Sequence, residues 1–585
     1  MKPTIHSVRT LTVLCTLGVA ACGGENEPRS QAVDRPMNTT SSALTSCDGT
    51  ETTEFMVVDS DITGEEHWSG TVYVEGSVKA ATAAVLTIEP GTQIVMAQNS
   101  ELDFAANADA KLLARGAATA PVQFCGEEAE AGYWAGLKLG AASETSLEHV
   151  QIVDAGAEGS AALILSAAAK LDNVSISGSA GDGVHAVDFS SDSAELSVEG
   201  SAETAVVLKS DMALAHFPAS VTLEGNGENR VRLSFAEIDM DTTLEADVDY
   251  VQEGTLSVSN GAVFTLQAGV DYQMDADASL VIGAEGEAAT ALLLGTELEP
   301  VKFSGTAAAS GSWRGIALTA NASAESQLSH VEIRHAGQGG DAALDLQSKI
   351  TLDDVLVTES NTGVEIGAQG LSAESTELTV TATGGAPLHI AANALSSLPD
   401  CELSGNAEQH VVVEAGAISS SGTVLDLDVP YLIEGNIETG AGAKLTIEPG
   451  VEFVMADHSR FSIGADGSAA SIVAEGSSDA MIVFRGETDQ AGSWFGLSID
   501  GNASAESSLQ YVEIRNAGEA AEGEVGAALT LEASVEVENS VFAESPGCGI
   551  LKPAEDESDY ASLNTFVDVS TEVAASAEGA LEPLP

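Results

Sequence analysis

Tyr133-Trp134-Ala135-Gly136-Leu137, Ser312-Trp313-Arg314-Gly315-Ile316 and Ser493-Trp494-Phe495-Gly496-Leu497 are three versions of one line. Their tryptophans stand 179 (313 − 134) and 181 (494 − 313) residues apart, and the text on either side recurs in step. Upstream, Leu86-Thr87-Ile88-Glu89-Pro90-Gly91 returns as Leu445 to Gly450, and in altered form as Phe264 to Gly269. Downstream, Leu147-Glu148-His149-Val150-Gln151-Ile152 returns as Leu328 to Ile333 and as Leu509 to Ile514, each followed after two residues by Ala-Gly. A long-period repeat of short apolar stretches and glycine turns reads as a solenoid, whose units bury their apolar faces only against one another.

Within a repeat the apolar stretches are short: Val72-Tyr73-Val74, Leu102-Asp103-Phe104, Val122-Gln123-Phe124 and Leu137-Lys138-Leu139 follow in succession. Each is too short for a helix, and the alternation predicts strands. No regular Asn-Gly or Asp-Gly pair links neighbouring stretches, so hairpins are not expected and the strands should pair in parallel between successive coils. Val150 and Ile152 share a face while Leu147 is out of phase with them, which predicts a bend just before the strand. The Trp-x-Gly, Ile-Glu-Pro-Gly and Leu-x-x-Val-x-Ile-x-x-Ala-Gly lines resemble right-handed parallel β-helix proteins of the pectin-lyase-like superfamily, among them surface proteins of Gram-negative bacteria. The resemblance implies an all-β, right-handed parallel β-helix over residues 50 to 565. We divide the solenoid into modules 47–228, 229–408 and 409–566, the last shortened, followed by an acidic tail or cap, 567–585. At roughly 20 to 29 residues per coil, a module should supply about seven or eight coils.

The charge is lopsided, with 90 acidic residues against 21 basic and a net charge of −69. Such a surface repels phosphate backbones and anionic bilayers, so nucleic acid is excluded as a partner. Residues 1–21 carry Lys2 and Arg9 and then an apolar core, the layout of a signal peptide. Their end, Val19-Ala20-Ala21-Cys22, resembles the lipobox of bacterial lipoproteins. That resemblance implies a diacylated Cys22 as the mature N-terminus, export, and lipid anchoring at the outer membrane or cell surface of a Gram-negative bacterium. Residues 22–46, rich in Asn, Glu, Pro, Ser and Thr without periodicity, read as a disordered tether. Of the cysteines beyond the leader, Cys47, Cys125, Cys401 and Cys548, none shows metal-site spacing. Cys47 can reach Cys125 only if the N-terminal segment folds back as a cap, whereas Cys401 and Cys548 fall several rungs apart and should not be bridged.

The repeat acts as an internal control, since scaffold residues recur and a catalytic residue usually occurs once. The position of His149 and His330 is Tyr511 in the third module, which marks a packing position rather than a metal ligand. Trp134, Trp313 and Trp494 recur in every module and should cover coil corners. Asp353-Asp354 corresponds to Asp172-Asn173 and Glu538-Asn539, and Asp154, His335 and Asn516 vary in the same manner. Such residues satisfy turn backbone groups. No Arg or Lys is bracketed by clustered aspartates as in pectate lyases, and the Gly-His-Gly and Arg-x-Lys signatures of polygalacturonases are absent. Asp59-Ser60-Asp61, Asp239-Met240-Asp241, Asp275-Ala276-Asp277 and Asp426-Leu427-Asp428 lack EF-hand spacing. The expectation is no catalytic residue, no metal ligand and no cofactor beyond weak Ca2+ binding.

Two functions stand at this point. The first is a membrane-anchored, non-enzymatic surface protein that acts as a spacer or binds polysaccharide or other surface proteins. The alternative is a polysaccharide lyase or hydrolase with one active site in a groove. An enzyme should show carboxylates grouped in one module without equivalents in the other two. A binding or spacer protein should show a face whose side chains repeat in all three.

Overall fold

A three- to five-residue strand shelters nothing by itself, and the chain answers by laying each strand in register on the one a coil earlier. The computed structural model describes residues 35, 37–107, 109–140, 144–464, 467, 469–503, 505–520, 525–577 and 580–583. They form a right-handed parallel β-helix of about 21 turns. The leader and Cys22 lie outside the described residues.

One inward column shows how the register works. Val72, Ile94, Phe124, Ile152, Ile176 and Val198 stack on successive rungs. Their counterparts in module two are Tyr250, Tyr272, Phe303, Ile333, Val357 and Val380. In module three they are Tyr431, Phe453, Phe484, Ile514, Phe542 and Phe566. Aromatic neighbours in a column stack, as Phe453 does on Phe484 with ring centroids 4.8 Å apart. Buried side chains from Met56 to Val573 form one continuous core, so the module boundaries at 228 and 408 are not domain boundaries. The first of them falls at the start of the strand Glu228–Leu233.

The modules are turned relative to one another. The strand after the first Trp-x-Gly line, Gly136–Leu139, climbs one sheet through Leu163–Leu165, Val184–Ala186, Thr204–Leu208 and Glu228–Leu233. The same sheet then continues into Tyr250–Gln252, Asp271–Met274 and Val301–Gly305 of module two, which play a different role in the repeat. Seven coils are complete there, and the second Trp-x-Gly strand, Gly315–Leu318, follows one sheet on. The shift recurs at the next junction, where Leu388–Ile390 and Val411–Val413 pass into Tyr431–Ile433. A module is therefore seven coils and a third, and equivalent residues of the three modules face three different sides of the rod.

The corners explain the conserved text. In each Trp-x-Gly line the glycine has positive φ (124°, 141° and 110°). A Cβ on Gly315 would stand 2.2 Å from the Ala342 carbonyl oxygen, so only glycine fits. The bend expected after Leu147 is present. His149, His330 and Tyr511 are left-handed, with φ 47°, 46° and 51°, and lie over the equally left-handed Asn173, Asp354 and Asn539. This corrects the packing role expected at that position, since these three side chains are half-buried and the backbone bend is what recurs. A second left-handed column runs through Asp154, Gly178, Gly200 and Gly225 in module one, and through His335, Glu359, Ala382 and Gly405 in module two. Asn, Asp, His and Gly populate this conformation at least cost.

Antiparallel pairing occurs at the two ends. Met37–Thr45, placed in the tether by its composition, is instead a strand that pairs antiparallel with Glu51–Val58. Its segment caps the first coil, Arg35 bonding Glu66 at 2.9 Å beside the buried Trp68. The fold-back brings Cys47 to Cys125, and the two are disulfide-bonded with Cα atoms 5.6 Å apart. Around the bridge, Leu44, Phe55 and Val95 form a small second core on the outer wall. Cys401 and Cys548 are free. At the other end Thr565–Ala577 is a full rung, and Ala580–Pro583 turns back on it. The last rung thus extends past residue 566, into the segment 567–585 that composition marks as an acidic tail or cap.

Ala382 is exposed with φ 54°, a conformation that costs a Cβ-bearing residue about 1 kcal/mol. Ala382→Gly should stabilise the protein by up to about 1 kcal/mol in denaturant unfolding; a loss would show that this corner is not strained.

Candidate functional site

The recurring residues are scaffold. Trp134, Trp313 and Trp494 are fully buried, and their indole N–H groups donate to the carbonyls of Val153, Arg334 and Arg515 at 2.8, 2.7 and 3.0 Å. Asp353 accepts from Ser329 and Thr376 at 3.1 and 2.9 Å, while Asp354 holds His330 at 2.7 Å, so this acidic pair works within the ladder. Several aspartate stretches do the same. Asp61 accepts the amide of Lys79, and Asp241 that of Val263, each one coil later. Among the described residues no group of three or more His, Cys, Asp or Glu side chains is placed to hold a metal ion.

One arrangement does not recur. On the sheet after the Trp-x-Gly line of module two, each short strand presents one outward residue: Ala317, Asp345, Glu365 and His389 on successive rungs. Ala317, Asp345 and Glu365 floor a groove of about 380 Å³, walled by Gly340, Asp341 and Ala342, and a recess of about 140 Å³ lies beside Glu365 and His389. At its rim Arg314 pairs with Asp341 at 3.1 Å. The Gln347 side-chain amide donates to Asp345 Oδ1 at 2.6 Å and to Glu365 Oε1 at 3.2 Å, tying the two carboxyl groups together. Burial raises the Asp345 carboxyl above its ordinary range, against the Gln347 hydrogen bond. Glu365 is raised first by burial and then by the negative charges of Asp345 and Glu414, with Gln347 and His389 opposing. Like carboxylates one rung apart, about 4.8 Å, each disfavour the other's charge. Together they offer hydrogen-bond acceptors when ionised and a donor when one is protonated.

The equivalent columns differ in chemistry. In module one the residues are Lys138, Ile164, His185 and Val207. In module three they are Ser498, Thr530, Leu551 and Ala574. The acidic pair is a single-copy feature, the pattern expected of a functional site. Sequence reading missed it because its members lie on separate coils and share no motif. Aligning Leu344-Asp345-Leu346 with Leu163-Ile164-Leu165 would have exposed it, since a carboxylate there replaces an isoleucine.

A larger cleft, about 670 Å³, lies near the C-terminal end beside Pro546, Gly547 and Cys548. Burial pushes the Cys548 thiol up to about 11, which leaves it protonated and unreactive at neutral pH. Among the described residues the carboxylate lining this cleft is Glu519, held by His458 at 2.6 Å.

A family model described as a pectate-lyase-like β-helix domain matches residues 416–540. The match covers a minor part of the chain, all of it in module three, so it speaks for the fold and not for the module-two groove. No curated protein and no solved structure gives a significant match.

The raised Asp345 value fixes the sign of a pH effect. The folded state holds this proton to higher pH than the unfolded chain, so the group's stabilising contribution is present below the ordinary 3.8 and is lost as pH rises through the folded value. Asp345→Asn should therefore raise the melting temperature at pH 7 and leave it unchanged near pH 3; a variant that melts like the parent chain at both pH values would show Asp345 to be fully solvated.

Proposed function

We propose that the chain is an exported polysaccharide-binding protein, anchored to a membrane through lipidated Cys22, and that the module-two groove is its glycan site. The observation that carries this reading is the single-copy Asp345–Glu365 pair in a groove that runs across successive rungs. Small residues, Gly315, Ala317, Gly340 and Ala342, leave its bed open to a sugar chain. The pectate-lyase-like match supports a carbohydrate-related role through the fold. The lipobox-like leader supports the anchor.

A second reading, glycoside hydrolysis, is favoured by one specific observation: both carboxyl groups are raised by burial and share one amide donor. A protonated carboxyl beside an ionised one is the acid and base equipment such hydrolysis uses.

A panel of polysaccharides, tested against the full chain with and without Ca2+ for retention and for release of reducing ends, tests the groove. Retention lost in Asp345→Asn/Glu365→Gln supports binding there, and released reducing ends lost in the same variant make it an enzyme. Retention indifferent to the variant removes the groove as the site. Separately, Cys22→Ser should abolish labelling by a fatty-acid analogue; persistent labelling would refute the anchor.

A further inference from the structure

The Cys47–Cys125 bridge does not serve the rod's own core. Its cluster of Leu44, Phe55, Val95 and Cys125 is separate from the continuous core that runs from Met56 to Val573. The cluster forms on the outer wall, where the tip of the N-terminal hairpin, residues 44–54, lies against the outward column Tyr73, Val95, Cys125. In place of Cys125 the equivalent rungs carry Ser304 and Arg485, and they stack without a bridge. What the bridge holds is the tip.

Charge pulls the tip the other way. Between residues 36 and 66 the chain has seven acidic side chains and no Lys or Arg. Asp48, Glu51 and Glu54 are exposed on the tip, over a rod of net charge −69, and like charges repel across this surface. Against the wall the tip sets the apolar Leu44 and a long bond from the Asp48 amide to Gln93 Oε1, 3.4 Å. The base of the hairpin is held far more firmly. Arg35 donates to both oxygens of Glu66, at 2.9 and 3.0 Å, and to the carbonyls of Ser60 and Asp61. Glu66 is 2% exposed, and without Arg35 it would be a buried, unpaired charge.

We propose that the bridge is a redox latch: a dithiol reductant opens it, the tip lifts from the wall about the Arg35–Glu66 clamp, and the apolar strip around Val95 is uncovered while the rod stays folded. Cys47 is half-buried and Cys125 buried, so the reductant's thiolate attacks Cys47 Sγ and Cys125 leaves as a thiolate, which takes a proton. The reductant's second thiolate then displaces Cys47, which is protonated in turn. The reductant ends as a disulfide, having given two electrons to the bridge. Burial raises the thiols of Cys401 and Cys548 and keeps them out of the exchange.

A two-stranded hairpin without support is marginal in water, so a lifted tip loses protection of its amides. Hydrogen exchange of the full chain, in about 0.01 M salt to leave the charges unscreened, tests this in three states: oxidised, treated with dithiothreitol, and Cys47→Ser/Cys125→Ser. In the second and third, exchange across residues 44–54 should rise at least about tenfold, within what a bridge contributes to the order it fixes. The rungs at 72–74, 93–96 and 122–125 should stay protected, and mass counting after alkylation should find two new thiols in the treated, folded protein. Unchanged exchange at 44–54 in both states would show the tip held without the bridge. Exchange spreading through those rungs would make the bridge a staple of the rod, and no new thiols would put it beyond a reductant's reach. Each of these three results overturns the latch.

Discussion

Every rung of this molecule must match the rung beneath it, at about 4.8 Å and with the same side chains facing in. That registry is the constraint from which the rest follows. Inward positions form columns that run the length of the rod, and a column accepts only residues that pack on their neighbours. Hence Ile152, Ile176 and Val198 lie on one another in module one, while Phe453 stacks on Phe484 in module three. The corners obey the same rule in backbone form. A left-handed residue lies over a left-handed residue, so the text that recurs across 179 and 181 residues is corner text, together with the tryptophan whose N–H closes it.

Registry also sets the charge problem. Stacked outward positions bring side chains as close as cross-strand neighbours, where like charges destabilise, and this chain has 90 acidic residues to place. Much of the surface answers with local pairing, as where Arg232 bonds both Glu228 and Asp275, or Lys138 bonds Glu101 at 2.7 Å. Asp345 over Glu365 is an exception, with an amide between them and no cation. A like-charge contact between the half-buried Asp345 and the exposed Glu365 is a cost that the scaffold does not require, because modules one and three fill the same column with Ile164 and His185 or with Thr530 and Leu551.

The fold was legible because its determinants recur in the text. Short alternating stretches without hairpin turns gave parallel strands, and the bend before Val150 could be read from the phase of Leu147 alone. The condition placed on Cys47, that the N-terminal segment fold back, is the one the structure meets. The composition of residues 37–45 hid a strand, since Asn, Thr and Ser carry little apolar signal and the pairing partner, Glu51–Val58, supplies the order. The groove was illegible for a different reason. Asp345, Glu365 and His389 are 20 (365 − 345) and 24 (389 − 365) residues apart, one to a coil, and only knowledge of the rung register places them together.

The third of a turn by which each module advances changes what a repeated surface can mean. Three copies of one side chain look out from three sheets, so no flat partner touches all of them, and repetition in this chain marks internal packing instead of a binding face. The criterion that a binding protein should show a face repeating in every module fails on geometry, whatever the ligand. What a partner lying along one side meets is a mixture: the late coils of one module and the early coils of the next, with different residues in each. A site on such a rod has to be local, built from a few neighbouring rungs, and singular. The module-two groove has that form, and its acids hold their places against a stability cost that the other two modules avoid in the equivalent column.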